Sequence, residues 1–143
     1  MADATRNATE AVLQKYLAAF RTHDLEAIAA LASADCVVDS VAAAGLSGRD
    51  GIRQLYREWF AGFPDLAVHT QETLIDGDRA VVFLTVAGTD NGGFMGLPPT
   101  GRSFRLTGAI VITVADGQII RYRSLYDFTG LLVQVGILKA KPV

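Results

Sequence analysis

The hydrophobic pattern of the chain changes its period once, near Leu66. Before that point apolar residues recur at the helical spacing of i, i+3 and i+4, and after it they alternate with polar residues. The first part predicts helices over about residues 7–21, 24–32 and 50–61, with a short strand at 36–41 before the third helix. A chain with its helices first and its strands last is typical of an α+β fold.

The part after Leu66 predicts four long strands, over residues 67–75, 79–89, 102–115 and 118–126. Asp-Gly turns at Asp76 and Asp116 favour an antiparallel meander. Residues 81–84 and 109–112 are apolar at consecutive positions. We therefore expect both faces of the sheet to be covered, one by the helices and the other by a second subunit. Asp127 is in position to cap a short terminal helix that ends at Gly136.

The segment of residues 90–101 joins two of these strands and reads Asp-Asn-Gly-Gly-Phe-Met-Gly-Leu-Pro-Pro-Thr-Gly. Its glycines and prolines exclude a helix or a strand, yet it carries Phe94, Met95 and Leu97, which a fully solvated loop does not need. Two interpretations stay open. The loop either covers something, a cavity mouth or a neighbouring subunit, or it is an ordinary hairpin connection that caps its own core.

Three helices and a strongly curved meander do not close into a flat two-layer sandwich without leaving the concave side partly filled. We predict one domain over residues 1–143, in which three N-terminal helices pack on a strongly curved antiparallel sheet. The sheet is expected to form a cone-like barrel with an internal pocket. Inward strand side chains and the first helical stripe, which contains Tyr16, are expected to line this pocket.

Charge and composition argue against several classes of partner and site. The formal net charge of −2 gives no electrostatic footprint for nucleic acid or for an anionic membrane. No run approaches the roughly 20 apolar residues that span a bilayer, and the N-terminus lacks the apolar core of a signal peptide, so we expect a cytoplasmic protein. Cys36 is the single cysteine, which excludes an intrachain disulfide. With only His23 and His69, we expect no zinc site built by the protein.

Five segments, in order along the chain, carry a resemblance to a known family. The most specific is the run Gly-Phe-Met-Gly-Leu-Pro-Pro-Thr-Gly-Arg at residues 93–102, and the others lie at 16–20 with Asp24, 61–66, 116–119 and 127–132. In these segments the chain resembles the SnoaL-like polyketide cyclases of the nuclear-transport-factor-2-like superfamily, which also holds the ketosteroid isomerases. The resemblance spans nearly the whole chain and implies the same cone-like fold.

The resemblance implies an intramolecular aldol ring closure without a metal or an organic cofactor. In these cyclases an Asp on the last long strand is the general acid/base. In this chain its position falls on Ser124, and that of the accompanying His falls on Ile110. A serine hydroxyl without a partner base is a poor proton acceptor near neutral pH. Compared with the steroid isomerases, Tyr16 matches the tyrosine that stabilises the oxyanion, and their catalytic Asp aligns with Ser40, one residue beyond Asp39.

Three residues are candidates for catalysis, each with an alternative. Tyr16 is a polar group on an apolar helical face, where its phenol would hydrogen-bond an enolate oxygen or, alternatively, the backbone of the core. Asp39 has apolar neighbours that would suit a general base, but a register change of one residue would make it an outward strand residue. Asp127 is either a catalyst or, since it directly precedes the terminal helix, a helix cap.

The residues expected to bind the substrate are aromatic or apolar, or lie on the inward face of the last strand. Along that strand Tyr122, Ser124 and Tyr126 share one face, which the family comparison implies is inward, and the arginines at 121 and 123 share the other. The substrate-binding candidates are Ser40, Trp59, Phe63, Phe94, Met95, Phe104, Ile110, Tyr122, Ser124 and Tyr126.

Several functions follow as hypotheses. The first is a cofactor-independent cyclase or isomerase that abstracts a proton from a hydrophobic, carbonyl-containing small molecule and stabilises the enolate, with Asp39 as base and Tyr16 as oxyanion donor. The second is a non-catalytic small-molecule binding protein, motivated by Ser40 and Ser124 in place of the family carboxylates. Weaker alternatives are an epoxide or ester hydrolase of the same superfamily and a module that serves only dimerisation. A homodimer formed through the sheet is expected.

Overall fold

The computed structural model of the protein describes residues 2–139 and residue 141. Within these residues the chain forms an α+β fold of helices packed on one sheet, as predicted. The elements follow one another as α1 Ala2–Arg21, α2 Leu25–Leu31, β1 Ala32–Ser40, α3 Gly48–Gly62, β2 Ala67–Asp76, β3 Arg79–Thr89, β4 Ser103–Ala115, β5 Gln118–Tyr126 and α4 Phe128–Gln134.

The first helix buries the stripe that its sequence predicts. Leu13 and Tyr16 are fully buried and Leu17 is nearly so, because residues three and four apart lie on one face of a helix. Asp24 caps α2, and its carboxylate accepts a hydrogen bond from the Ala27 backbone nitrogen at 3.1 Å. None of the helices in the described ranges is long and apolar enough to cross a membrane.

The five strands form one sheet in the order β1-β5-β4-β3-β2. The predicted antiparallel meander is confirmed for β2 to β5. β1, in contrast, pairs with β5 in parallel, a pairing that the sequence pattern did not predict. Register shifts in three of the four pairings bend and twist the strands. The sheet is curved and cone-like but not closed, since β1 and β2 remain its edges.

The two faces of the sheet have different environments. On the concave face Val82 and Ile112 are fully buried beneath the helices. On the convex face Leu74, at 54% exposure, lies in register with Val81, and Leu125 is 46% exposed. The helices therefore cover one face only, and apolar side chains on the other face have no covering element among residues 2–139.

The loop of residues 90–101 is organised by Asp90. Its buried carboxylate accepts hydrogen bonds from the backbone nitrogens of Gly93 and Thr100 and from the Thr100 hydroxyl, each at 3.1 Å. The Gly92 nitrogen donates to the Gly62 carbonyl at 3.1 Å. A β-carbon on Gly92 would lie only 1.7 Å from the carbonyl oxygen of Ala61. The loop is therefore held tightly against the C-terminal end of α3.

Candidate functional site

A cavity lies between the helices and the concave face of the sheet. Its volume is about 60 Å³. Pockets for drug-sized ligands typically measure about 300–1,000 Å³. The cavity is smaller than this range, so only a small group of a larger ligand would fit inside it. The lining residues are Phe20, Ser40, Leu55, Tyr56, Trp59, Leu66, Leu84, Val86, Leu106, Gly108, Ala109, Ile110, Tyr122, Ser124, Leu125 and Tyr126.

All polar side chains in this lining, apart from the indole of Trp59, end in hydroxyl groups: Ser40, Tyr56, Tyr122, Ser124 and Tyr126. None of the lining residues is an Asp, Glu, His, Lys or Arg. A wall of this kind offers neutral hydrogen-bond donors and acceptors but no charge and no strong base. It suits an uncharged ligand, because an ion in an apolar cavity needs a partner of opposite charge.

Three tyrosines from three elements meet at one end of the cavity, and we call them the tyrosine cluster: Tyr16 of α1, Tyr56 of α3 and Tyr122 of β5. The hydroxyls of Tyr16 and Tyr56 share a short hydrogen bond. Tyr56 and Tyr122 share another, with 2.7 Å between their oxygens. The rings of Tyr56 and Tyr122 also pack edge to face at 6.1 Å. The cluster thus forms a chain of hydroxyls that begins in the core and ends at the cavity wall.

Burial determines the protonation state of this cluster. Desolvation raises the pKa of Tyr16 and Tyr56 well above the usual tyrosine value. The neighbouring phenols raise the pKa of Tyr56 further, whereas for Tyr16 the phenol of Tyr122 raises the pKa and the hydrogen bond to Tyr56 lowers it. The pKa of Tyr122 is also raised, chiefly by burial, although its hydrogen bonds to the neighbouring hydroxyls lower it in part. A phenol in a dry site resists ionisation because the charged form loses its hydration. The three hydroxyls therefore stay protonated and act as donors.

Two serines lie beside the cluster because of the parallel pairing of β1 and β5. Ser40 is in register with Ser124, and the Ser124 hydroxyl donates to the Ser40 oxygen at 2.6 Å. Ser124 is also in register with Ile110 on the neighbouring strand β4. The positions at which the family resemblance implied an acid and an imidazole are thus occupied by a serine pair and an apolar side chain.

Tyr126 supplies the last hydroxyl of the wall. Its oxygen is buried and has no hydrogen-bond partner among the described residues. The nearby Ser40 hydroxyl lowers the pKa of this phenol, although it is not placed well enough to form a hydrogen bond with Tyr126. Burial has the larger effect, so the pKa is raised. The ring is held edge to face by Trp59 at 5.5 Å and by Phe128 at 6.1 Å. The hydroxyl is fixed at the cavity wall, where it lacks a partner.

The structure separates the three residues expected to be catalytic. Tyr16 is completely buried, does not line the cavity and bonds to Tyr56 rather than to the backbone. Asp39 lies on the convex face, where its side chain is 62% exposed and 3.4 Å from the Arg123 guanidinium. The sequence left open whether Asp39 faces the pocket or solvent, and the side chain lies on the solvent side. Asp127 is the N-cap of α4 and accepts from the Gly130 nitrogen at 2.8 Å.

The pairing of β1 with β5 determines the face of the sheet on which Asp39 lies. In the parallel register Ser40 pairs with Ser124, which is inward, so the neighbouring Asp39 pairs with the outward Arg123. Successive side chains on a strand point to opposite faces. Of the two positions that the sequence left open for Asp39, the strand register gives the outward one.

Six of the ten residues expected to bind substrate line the cavity: Ser40, Trp59, Ile110, Tyr122, Ser124 and Tyr126. The other four do not. Phe63, Phe94 and Phe104 are buried behind Trp59, with ring centroids 5.4 to 6.3 Å from it, so they support the wall from outside. Met95 is 59% exposed at the loop surface. The loop therefore braces the cavity through Phe94, and its tip points into solvent.

Sequence reasoning missed Tyr56 as a site residue. It belongs to the apolar stripe of α3, as Tyr16 belongs to that of α1, and both carry a hydroxyl on a face that packs into the core. A phenol on such a face needs a buried hydrogen-bond partner. The presence of a tyrosine on the buried face of each of the two helices was the sequence signal that could have identified Tyr56. Phe20, Leu55 and Leu66 also line the cavity, but their sequence carries no sign that separates them from the ordinary core.

No group of three or more His, Cys, Asp or Glu side chains within residues 2–139 is arranged to hold a metal ion. Cys36 is buried, and desolvation raises the pKa of its thiol to about 11. A thiol of this kind is a packed core residue, since reactive cysteines have lowered pKa values.

Solved structures with the same fold include proteins designated as polyketide cyclases and one designated as a hydroxylase. AclR of Streptomyces galilaeus, provisionally designated a hydroxylase, is 27% identical with a TM-score of 0.81, over 96% of this chain and 86% of its own. IdmH of Streptomyces antibioticus, provisionally designated a polyketide cyclase, is 29% identical with a TM-score of 0.74, over 90% and 98%. A SnoaL-like protein of Jannaschia sp. CCS1, at 20% identity and a TM-score of 0.83 over 96% of both chains, shares the fold.

No functionally curated protein matches the sequence. The family comparison is decisive because it covers most of the chain: residues 10–135 match the model described as SnoaL-like polyketide cyclase. This range includes the tyrosine cluster, the serine pair and the loop. The chain therefore belongs to the SnoaL-like polyketide cyclase family.

Proposed function

We propose that the protein binds a hydrophobic, carbonyl-containing small molecule in the cavity and promotes enolisation or aldol-type ring closure at that carbonyl, without an organic cofactor. The observation that supports this most directly is the tyrosine cluster. Its hydroxyl chain ends at an apolar wall, at Tyr56 and Tyr122. A donor fixed in a dry site stabilises an oxygen that gains negative charge during the reaction.

In this proposal Tyr56 or Tyr122 donates to the carbonyl oxygen. As the neighbouring carbon loses its proton, the oxygen becomes an enolate, and the hydrogen bond strengthens because the surroundings are apolar. Tyr16 does not touch the substrate. It is a positioning residue, because its hydrogen bond to Tyr56 fixes that hydroxyl from behind.

The proton acceptor is not among the cavity-lining side chains, which are neutral hydroxyl, indole and apolar groups. We therefore propose that the substrate is a carbon acid already activated by a carbonyl together with a second carbonyl or an aromatic ring, and that its proton passes to water or a buffer base at the mouth. The enolate then attacks a second carbonyl, and the alkoxide takes up a proton. The contribution of the protein is orientation and oxyanion stabilisation.

The exchange of the α-protons of 2-tetralone in deuterated buffer, followed by ¹H NMR, tests this proposal. We expect the protein to accelerate exchange over buffer and Tyr56→Phe to reduce the acceleration by about 10-fold or more, since single oxyanion donors are often worth 10²–10³. Asp39→Asn is the matched control, because the side chain lies on the opposite face of the sheet. Equal exchange with and without the protein would contradict catalysis, and a loss in Asp39→Asn would return that residue to the mechanism.

A non-catalytic binding protein is the second candidate, and the absence of a carboxylate or imidazole from the cavity lining favours it. Binding of 2-tetralone without faster exchange would support this function over the first. A hydrolase of epoxides or esters has less support, because the serine pair lacks an adjacent base to activate water or a nucleophile.

We also propose that two copies of the chain pair through the convex face of the sheet. Leu74 and Leu125 are exposed there, and Val81, Phe83 and Val111 are only half-buried. Exposed apolar patches rimmed by polar residues mark interaction sites, and here the charged Arg123 lies in register with Val111. A cytoplasmic location remains a prediction from the sequence.

A further inference from the structure

The hydroxyl of Tyr126 is the one polar group of the cavity lining whose oxygen is buried without a hydrogen-bond partner. Buried polar atoms in folded proteins are nearly always bonded, and an exception calls for a specific cause. A ring on a mobile side chain would turn its hydroxyl to water. Here the ring is held by Trp59 and Phe128, so the hydroxyl stays at the cavity wall.

The surroundings of this hydroxyl indicate what it binds. Tyr126 follows Ser124 by two residues on β5, so both side chains point to the same concave face. Ser124 uses its proton to donate to Ser40. The Ser40 hydroxyl then retains its own proton, and the neighbouring Tyr126 hydroxyl retains its proton as well. The two groups present donors to the cavity and no charge.

We propose that Tyr126, with Ser40 and Ser124 beside it, forms a second polar subsite of the cavity, which takes an uncharged hydrogen-bond acceptor of the ligand, a carbonyl, ether or hydroxyl oxygen. This inference rests on the proposed function, in which the tyrosine cluster takes a first carbonyl. It specifies the ligand as a hydrophobic molecule with two oxygen functions and no charge. A carboxylate is disfavoured, because no cation lines the cavity.

Two properties of Tyr126→Phe separate this role from a structural one. The variant removes an unbonded hydroxyl, so we expect its thermal unfolding temperature to equal or exceed that of the wild type. Tyr56→Phe is the matched control, because it removes a hydroxyl with two bonded partners and should lower that temperature. A lower unfolding temperature for Tyr126→Phe would overturn the inference, since its hydroxyl would then have a partner in the folded protein.

Binding is measured with two probes, 1,4-diacetylbenzene and 4-isopropenylacetophenone, in which a C=CH₂ group replaces one carbonyl. The indole NMR signal of Trp59, the single tryptophan, reports occupancy. We expect the diketone to bind the wild type roughly threefold to tenfold more tightly, the effect of one neutral hydrogen bond. This preference should vanish in Tyr126→Phe but persist in Asp39→Asn, whose side chain lies on the opposite face of the sheet.

The outcomes distinguish the two levels of the proposal. Equal affinity of both probes for the wild type, or an unchanged preference in Tyr126→Phe, would overturn the second subsite alone. If neither probe shifts the Trp59 signal, the cavity does not bind such ketones, and both the proposed function and the subsite fail.

Discussion

An alkaline titration tests directly whether water is excluded from the site, because all four tyrosines of the chain belong to the site. Tyr16, Tyr56, Tyr122 and Tyr126 are the complete set, and the pKa of each is raised mainly by burial. We expect the native protein to show almost no tyrosinate absorbance at 295 nm near pH 10, where a free tyrosine is half ionised. The guanidinium-unfolded chain is the control and should titrate normally.

The sign and size of the stability change follow from linkage. Since the folded pKa values are raised, the stability from these groups is fully present below pH 10 and is lost as the pH rises towards the folded pKa values. At pH 11 each tyrosine of the unfolded chain gains about 1.4 kcal/mol by ionising, and four gain about 6 kcal/mol. That is comparable with the whole stability of a typical domain, about 5–15 kcal/mol.

Ionisation and unfolding should therefore occur together above pH 11. The assay records absorbance at 295 nm and far-ultraviolet circular dichroism on the same samples. We expect both signals to change in one cooperative step. Independent ionisation of two or more tyrosines near pH 10, with the circular dichroism unchanged, would contradict the prediction that the tyrosines are shielded from water, because it would mean that water reaches the tyrosine cluster.

Two further predictions concern the loop and the convex face. Gly92→Ala should lower the free energy of unfolding in urea by at least about 2 kcal/mol, because the new β-carbon would overlap the Ala61 carbonyl. Gly96→Ala is the control: it has open space but a φ of 73°, and it should lower the free energy of unfolding by only about 1 kcal/mol. Equal losses in the two variants would contradict the tight packing of the loop against α3. Leu74→Lys should convert the dimer into a monomer, as measured by light scattering, without changing the circular dichroism, since Leu74 is exposed on the convex face. A wild-type protein that is already monomeric would exclude the proposed dimer.

Local pattern predicted the secondary structure closely. The predicted ranges of β3 and β5 agree with the observed Arg79–Thr89 and Gln118–Tyr126, because alternation and Asp-Gly turns are properties of neighbouring residues. The starts of α1 and β1 were the least accurate, because α1 begins at Ala2 instead of residue 7 and β1 begins at Ala32 instead of residue 36. Neither added segment carries a large apolar residue, and the prediction relied on the spacing of such residues.

The family, the order of the elements and the division of the β5 side chains between two faces follow from the sequence alone, since each depends on motifs or on spacing along one segment. The tertiary structure decided which hydroxyls meet: Tyr16 and Tyr56 are 40 residues apart, and Tyr56 and Tyr122 are 66 apart. It also decided the side of Asp39. A strand has a period of two, so its inward face depends on register with a partner, and the parallel pairing with β5 places Ser40 inward and Asp39 outward.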